Sequence, residues 1–330
     1  MVCKLKDVAE KLGISINTVS RALNDKSGMS DELKHKIKET AKELGYVHNM
    51  SASYLRTGRT NTIAIVYDNF FNPYYSIVTS ILQREFSNKG YDVFIVSAKR
   101  RAVLDEETAQ KIISRGVDAI VTFLEVNDNA LKLIKKAKKE VLLIGRRSLN
   151  SANYLTFDDE YGSYLATKYL IECGHKDILY FSVRLRVSCA VDRLNGYKRA
   201  FKEANLEVKE ENILYITDTC LNGSQFVLEA EKRNLKYTAI LAFNDILAYG
   251  AIHELNNLGK KVPEDISVIG FDNVEGNMFL PIGLTSINLD KEAICLETVN
   301  RVISALNKKK TKFNKLPIPN LVVRRTVKKI

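Results

Sequence analysis

Residues 5–24 read LKDVAEKLGISINTVSRALN, and the spacing of their apolar positions decides the architecture of the amino-terminal part of the chain. Leu5, Val8, Ala9 and Leu12 recur at i, i+3, i+4 and i+7, one face of a helix, and Gly13 stops it. Ser15 then offers a hydroxyl to the amides left unpaired at the start of a second helix, from Ile16 to Leu23. A third segment opens at Ser30 and places Leu33, Ile37, Ala41 and Leu44 on one face before Gly45 ends it. Three short helices around one small core are expected. The first two are joined by a tight, Gly-containing turn, the sequence sign of a helix-turn-helix.

In such a motif the second helix enters the DNA major groove. At about 100° per residue with Val19 as origin, Ala22 and Leu23 fall within about 60° of it and pack inward. Asn17, Arg21 and Asn24 fall on the opposite side. Their planar groups can make paired hydrogen bonds to adenine and guanine edges, and Thr18 and Ser20, flanking that face, suit phosphates. An ordinary three-helix unit with solvated Asn and Arg would carry the same face, so the face alone leaves both readings open.

The full string is more specific. Together with VHNMSASYLRTGRT at residues 47–60, it closely resembles the DNA-binding headpiece and hinge of the LacI/GalR family of bacterial transcription regulators. DVA, TVSRALN, ELGY and LRTGRT carry most of that likeness between Leu5 and Thr60. The resemblance implies base reading by Ile16, Asn17 and Arg21, with Ser15, Thr18 and Ser20 near phosphates. Asn24, Asn49, Leu55 and Arg56 complete the candidate DNA contacts. Ile16 is apolar and suits a thymine methyl group. Residues 49–60 by themselves are a polar linker with a stray leucine, too short to be a stable helix in water. The resemblance implies that they fold on DNA, where Leu55 enters the minor groove beside its dimer mate as an apolar wedge. Ser53 departs from the pattern, since many relatives carry Arg there.

From residue 61 onward, short apolar runs alternate with amphipathic segments: TIAIVYD, YDVFIVSA, DAIVTFL and VLLIG, then DILYFS, NILYIT, TAILAF and ISVIGFD. Helices are expected near Tyr74, Glu106–Arg115, Asn129–Lys138, Arg193–Ala204, Ser224–Arg233 and Ile246–Leu258. Strands apolar throughout and separated by helices indicate parallel sheets covered on both faces. The fold class is therefore an all-α helix-turn-helix headpiece plus an α/β core of two doubly wound parallel-sheet lobes. The expected domains are a headpiece at 1–48, a hinge at 49–60 and a core at 61–330. Lobe 1 would take about 61–159 and 290–319, lobe 2 about 160–289 and 320–330.

Ligands of open parallel sheets bind beyond the carboxyl ends of the strands. The polar groups there are DNFFNPYY (68–75), Arg146, Asn244-Asp245 and Asp272-Asn273. Each also has a plain structural reading, Asn244 or Asp245 as a helix cap and Asp272 as a turn brace. NPYY, RLNGYKRA, AFNDILAYGAI and VIGFDN resemble segments of the family's periplasmic-binding-protein-like effector domain, as far as the VVRR near the end. That resemblance implies effector binding by Arg193, Asn244 and Asp272 in a cleft between lobes, and Phe71, Asn72, Tyr74 and Arg146 join them as candidates. An Arg and a carboxylate on opposite walls would suit a polyhydroxylated ligand. Two stretches depart from the family: DTCLNG (218–223) lacks the aromatic platform of many sugar-responsive members, and RLRVSCAVD (184–192) is unusual. Phe70, Phe71, Tyr74 or Tyr75 could supply stacking instead.

Composition bounds the alternatives. A 330-residue chain that is 45% hydrophobic can bury a core. No apolar leader or membrane-length run is present, which leads to the expectation of a cytoplasmic protein without a membrane partner. The five cysteines, Cys3, Cys173, Cys189, Cys220 and Cys295, show no metal or redox spacing. The net charge of +11 is spread out: residues 1–60 hold 11 basic and 7 acidic residues, net +4, and the rest 39 and 32, net +7. Charge therefore does not by itself argue for nucleic acid. The cluster KKKTKFNK (308–315) reads as a solvated helix end and loop. With no GxGxxG, no GxxxxGK[ST] and no nucleophile or metal partner near His35, His48, His175 or His253, no catalytic residue and no cofactor is expected.

The function expected is a homodimeric transcription regulator, a repressor, that binds a pseudo-palindromic double-stranded DNA operator and is switched allosterically by a carbohydrate-like effector. A phosphoprotein co-regulator, a sugar-modifying enzyme and an exported sugar-binding protein are the alternatives.

Overall fold

The computed structural model describes residues 3–23, 27–46, 59–68, 72–98, 103–150, 152–183, 187–215, 222–274, 283–309 and 315–330. The chain divides into two units, residues 1–60 and 61–330. In the first, helices α1 (Leu5–Leu12), α2 (Ile16–Leu23) and α3 (Asp31–Glu43) surround Val8, Ala9, Val19, Ala22, Ile37 and Ala41. Leu5, Leu12, Leu23, Leu33 and Leu44 close over that core as half-buried residues. The helix ends use local chemistry. The Lys4 N–H donates to the Asp7 carboxylate at 2.7 Å, Gly13 takes the left-handed conformation at φ +65° that closes α1, and the Ser30 hydroxyl accepts from the Leu33 N–H at 3.3 Å.

The second unit begins with β1 (Thr62–Tyr67), α4 (Pro73–Ser87), β2 (Asp92–Ser97), β3 (Val103–Leu104) and α5 (Glu106–Ser114). It continues with β4 (Ala119–Thr122), β5 (Glu125–Val126), α6 (Asp128–Lys136), β6 (Glu140–Ile144) and β7 (Asn153–Leu155). Then come α7 (Asp159–Glu172), β8 (Ile178–Ser182), α8 (Ser188–Glu203), β9 (Ile213–Tyr215), α9 (Gly223–Lys232), β10 (Ala239–Ala242) and α10 (Asp245–Asn257). Strands β11 (Ser267–Asp272) and β12 (Thr285–Asn288), helix α11 (Lys291–Leu306) and β13 (Asn320–Val322) complete it.

Two sheets result, with strand orders β2-β1-β4-β6-β7 and β9-β8-β10-β11-β12-β13. All pairs within them are parallel except β12 with the edge strand β13. β3 and β5 form a separate short parallel pair. In each sheet the second strand lies outside the first and the later strands follow on the other side, so the winding reverses between β1 and β4 and again between β8 and β10. Those reversals open a crevice at the carboxyl ends of the strands.

Alternate side chains of each strand feed different cores, as the period of two requires. Ile63, Ile65 and Tyr67 of β1 belong to one cluster with Leu82, Phe86, Ile178, Tyr180, Ile269 and Phe271, drawn from both sheets. Ala64 and Val66 face a second cluster with Ile112, Ile120 and Ile134, while Leu179 and Phe181 face a third with Phe226, Ile240 and Leu247.

The eight apolar runs all become strands, β1, β2, β4, β6, β8, β9, β10 and β11. Helix α7 is absent from the sequence expectations because it buries Gly162, Ser163, Tyr164, Ala166, Thr167 and Leu170 at once, leaving little one-sided periodicity. It lies close against α8: a Cβ added at Gly196 would run into the backbone of Glu160 and approach the Tyr164 nitrogen. Helix α8 begins at Ser188, five residues before the expected start at Arg193. The unusual 188–192 segment is thus its first turn and carries Cys189 and Ala190 into the interior. Late in the chain, α11 packs against α4 and β6 beside the first sheet, whereas β12 before it and β13 after it belong to the second.

Candidate functional sites: an exposed helix face and a polar cleft

On the headpiece, the Ser15 hydroxyl accepts the Thr18 N–H at 3.1 Å and lies 2.8 Å from the Thr18 hydroxyl, which fixes the start of α2. Ile16, at 48% exposure, and Asn17 and Arg21 are exposed, while Thr18 is half-buried. The Arg21 Nη2 donates to the Ser27 carbonyl at 2.8 Å, so the guanidinium is steadied by the segment after α2. Ser20 corrects the helical projection. It is 7% exposed, because its flank of the helix, about 100° from Val19, belongs to the packed side. A free Ser20 hydroxyl on the groove face is not what this unit presents. Asn24, Asn49, Leu55 and Arg56 lie outside the described residues, as does Phe71 of the core.

In the core, Asn72 accepts the Tyr74 N–H at 3.0 Å through its side-chain oxygen and caps α4. That positions Tyr74, which is buried, and Tyr75. The Tyr75 ring stacks on Tyr67 at 5.5 Å and meets the edge of Phe123 at 5.0 Å. Burial drives the phenols of both Tyr74 and Tyr75 well above their ordinary range, so both stay neutral. Asn244 is likewise a cap: its side-chain oxygen accepts the Leu247 N–H at 3.0 Å at the start of α10. Arg146 follows β6 and Gly145, and its Nε is buried with no hydrogen-bond partner. The next residue bridges the lobes. The Arg147 N–H donates to the Ser188 hydroxyl at 2.7 Å, and its Nη2 meets Asp192 at 2.6 Å, both partners lying on α8.

Arg193 is buried on α8 and already well engaged. Nε donates to Asp159 at 2.8 Å, Nη1 donates to the Phe243 carbonyl at 2.5 Å, and Nη2 stands 3.8 Å from Asp272. Its guanidinium lies 3.6 Å over the Phe271 ring and 4.5 Å over Phe243. This corrects the expectation of an Arg and a carboxylate on opposite walls: Arg193 and Asp272 are neighbours on one wall. Asp272 ends β11 at φ +100°, a region that L-residues rarely adopt and that costs about 1–3 kcal/mol when the surroundings enforce it.

Sequence reasoning assigned no site role to Asp159 or Lys291, two of the charged groups behind this wall. Asp245, read from the sequence as a polar group at a strand end or a cap, is buried; its carboxylate accepts from the Ser286 hydroxyl at 2.6 Å and the Val274 N–H at 2.7 Å. Gly270 makes room for it, since a Cβ there would run into that carboxylate. Burial, aided by the charge of Asp272, raises Asp245 to about 7. Burial raises Asp272 to about 6 against the pull of Arg193 and Lys291. Burial also raises Asp159, partly offset by Arg193. Lys291, at the start of α11, is buried, is pushed down by desolvation, and donates to the Asn273 carbonyl at 3.2 Å. In the run FDDEYG two aspartates adjoin, at 158 and 159. Asp158 does cap α7, accepting the Tyr161 N–H at 2.9 Å, and nothing in the run distinguishes the inward neighbour.

The two lobes meet electrostatically: Arg146 acts on both the Tyr75 phenol and the Cys189 thiol, and Asp272 on both as well. Among the described residues, no helix is long and apolar enough to cross a membrane, and no group of three or more His, Cys, Asp or Glu could hold a metal ion.

A helix-turn-helix unit attached to a two-lobed α/β core with a polar cleft defines the class: a ligand-responsive DNA-binding regulator. Residues 4–49 match the model of bacterial regulatory proteins of the lacI family, and residues 167–327 that of the periplasmic binding protein-like domain. The chain is 31% identical to an HTH-type transcriptional regulator of Lachnoclostridium phytofermentans, over 97% of this chain and 98% of the relative. It is 30% identical to the HTH-type transcriptional repressor PurR of Vibrio campbellii, over 99% of each. A solved Lac repressor dimer bound to operator and the anti-inducer ONPF superposes with a TM-score of 0.82 at 22% identity, over 99% of this chain and 100% of that one. This chain belongs to the LacI family and is a DNA-binding transcriptional repressor of that type.

Proposed function

We propose that this repressor binds a pseudo-palindromic operator as a homodimer and that a small polar, carbohydrate-like effector seated between its lobes alters operator affinity. In this reading residues 1–48 read DNA, 49–60 form the hinge, and 61–330 bind effector and partner subunit. Lobe 1 comprises about 61–159 and 290–319, and lobe 2 about 160–289 and 320–330. The observation that carries the effector part is the gathering of Arg193, Asp159 and Asp272 at the end of β11, with Arg147 reaching from the other lobe to Ser188 and Asp192. Strain at Asp272 supports the same assignment, since enforced backbone outliers gather at functional sites.

Asn17 and Arg21 read base edges and Ile16 meets a thymine methyl group, while Ser15 and Thr18 face the phosphate backbone. Leu55 wedges into the minor groove. Two-fold symmetry of the protein is matched by symmetry of the operator. The effector acts only through its differential affinity for two arrangements of the lobes. The Arg147 contacts with Ser188 and Asp192 are among those that a change of lobe spacing would make or break.

Titration of the protein with its own upstream DNA and with random DNA of equal length, at physiological ionic strength, tests the operator. Tight binding to the upstream fragment alone, lost in Arg21→Ala, is expected. Equal affinity for both fragments would remove the operator reading. Weakened bending by Leu55→Ala with unchanged effector binding is expected from the wedge.

A further inference from the structure

Three arginines of the core, all at or beside the cleft, differ in how their charge is met. Arg193 is held by Asp159, the Phe243 carbonyl and Asp272. Arg147 is half exposed and is met by Asp192 at 2.6 Å. Arg146 is half-buried, and its buried Nε donates to nothing. A guanidinium cannot shed its proton to escape that situation. A buried charged donor without an acceptor loses its hydration with no return. The strongest unmet demand in the cleft is therefore for a negatively charged acceptor.

We propose that Arg146 is the anion-reading residue of this cleft and that the effector is an acidic carbohydrate derivative, a phosphate ester or a sugar acid, rather than a neutral sugar. The inference rests on the effector-cleft reading above and narrows it. Two oxygens of one anionic group can meet the guanidinium fork in parallel hydrogen bonds. The Tyr75 ring, stacked on Tyr67 and within electrostatic reach of Arg146, lies near that group. Two buried carboxylates beside Arg193 and Asp272 are already engaged. Asp159 is engaged by Arg193, and Asp245 by Ser286 and the Val274 N–H. Asp272, whose contact with Arg193 is long at 3.8 Å, is left to accept from ligand hydroxyls.

The test is calorimetric titration of the full chain with glucose, galactose and ribose, each offered as the neutral sugar, its terminal phosphate ester and its sugar acid, with inorganic phosphate alongside. Arg146→Gln and Arg146→Lys are compared with wild type and with Arg233→Gln, which removes an exposed arginine just after α9 paired with Glu229. Operator binding by each variant reports that it is folded. An acidic form should bind wild type and Arg233→Gln at least roughly tenfold more tightly than its neutral parent, which corresponds to about 1.4 kcal/mol. That preference should vanish in Arg146→Gln and return in part in Arg146→Lys. Whichever acidic form binds distinguishes phosphate from carboxylate. A neutral sugar bound as tightly as its acidic forms, with affinity untouched by Arg146→Gln, overturns the inference and leaves the cleft reading standing. Absence of binding by every probe overturns both.

Discussion

On the headpiece, Asn17 and Arg21 stand exposed on α2, and Arg21 is steadied by a single carbonyl contact with Ser27. In the core, Arg193 is buried among Asp159, Asp272, the Phe243 carbonyl and two aromatic rings. The same side-chain type thus serves two different physical tasks. An exposed arginine keeps its hydration until a partner replaces it, so it contributes little to the fold. A buried arginine is part of the fold, because removing it strands the carboxylates around it. Candidate DNA contacts should therefore be separable from stability, and the Arg193 wall of the cleft should not be.

The sharpest way to break this contrast is Arg193→Ala. It should lower unfolding free energy by about 3–5 kcal/mol in urea titrations, the usual cost of stranding a buried charge. A loss below about 1 kcal/mol would place the Arg193 cluster with ordinary surface groups. Arg21→Ala should leave stability within about 1 kcal/mol, since it removes one exposed hydrogen bond. Its effect belongs in operator discrimination, about 1–3 kcal/mol between matched and mismatched sites in quantitative DNA titrations.

Protonation gives a third handle. Asp245 and Asp272 are raised in the folded state to about 7 and about 6, so between the ordinary carboxylate range and those values the folded protein holds more protons than the unfolded chain. Stability from these groups is fully present at low pH and is lost as pH rises toward 7. Each carboxylate contributes a slope of up to about 1.4 kcal/mol per pH unit. Asp245→Asn should flatten the decline between roughly pH 5 and 7 in denaturant titrations run across pH; an unchanged slope would remove Asp245 from the account. The smallest effect is expected at the lobe-bridging pair. Asp192→Asn should cost less than about 1 kcal/mol in stability, because Arg147 is half exposed, and should show mainly as altered effector affinity.

Features carried by a local apolar pattern were the legible ones. Among the described residues, the exposed face of α2 follows from where Val19, Ala22 and Leu23 must pack, whereas Ser20, expected beside that face, is buried. The eight apolar runs were legible as strands because a strand buried on both faces is apolar throughout. Helix α7 was not, since a helix buried on most sides loses the one-sided pattern that identifies it. Asn244 was legible as a possible cap, which its oxygen is at the start of α10, whereas the capping of α4 by Asn72 appears only in the structure.

The sequence by itself determined the helix-turn-helix, the two parallel-sheet lobes and the strand ends at which polar groups gather, because periodicity and capping are local and repeat along the chain. Tertiary structure alone decided which charges meet. Asp159 reaches Arg193 from 34 positions away and Ser286 reaches Asp245 from 41, while Arg146, next in sequence to a paired arginine, keeps a buried Nε without an acceptor. No local pattern records these outcomes, because the cost or gain of a buried charge depends on what the rest of the fold brings beside it.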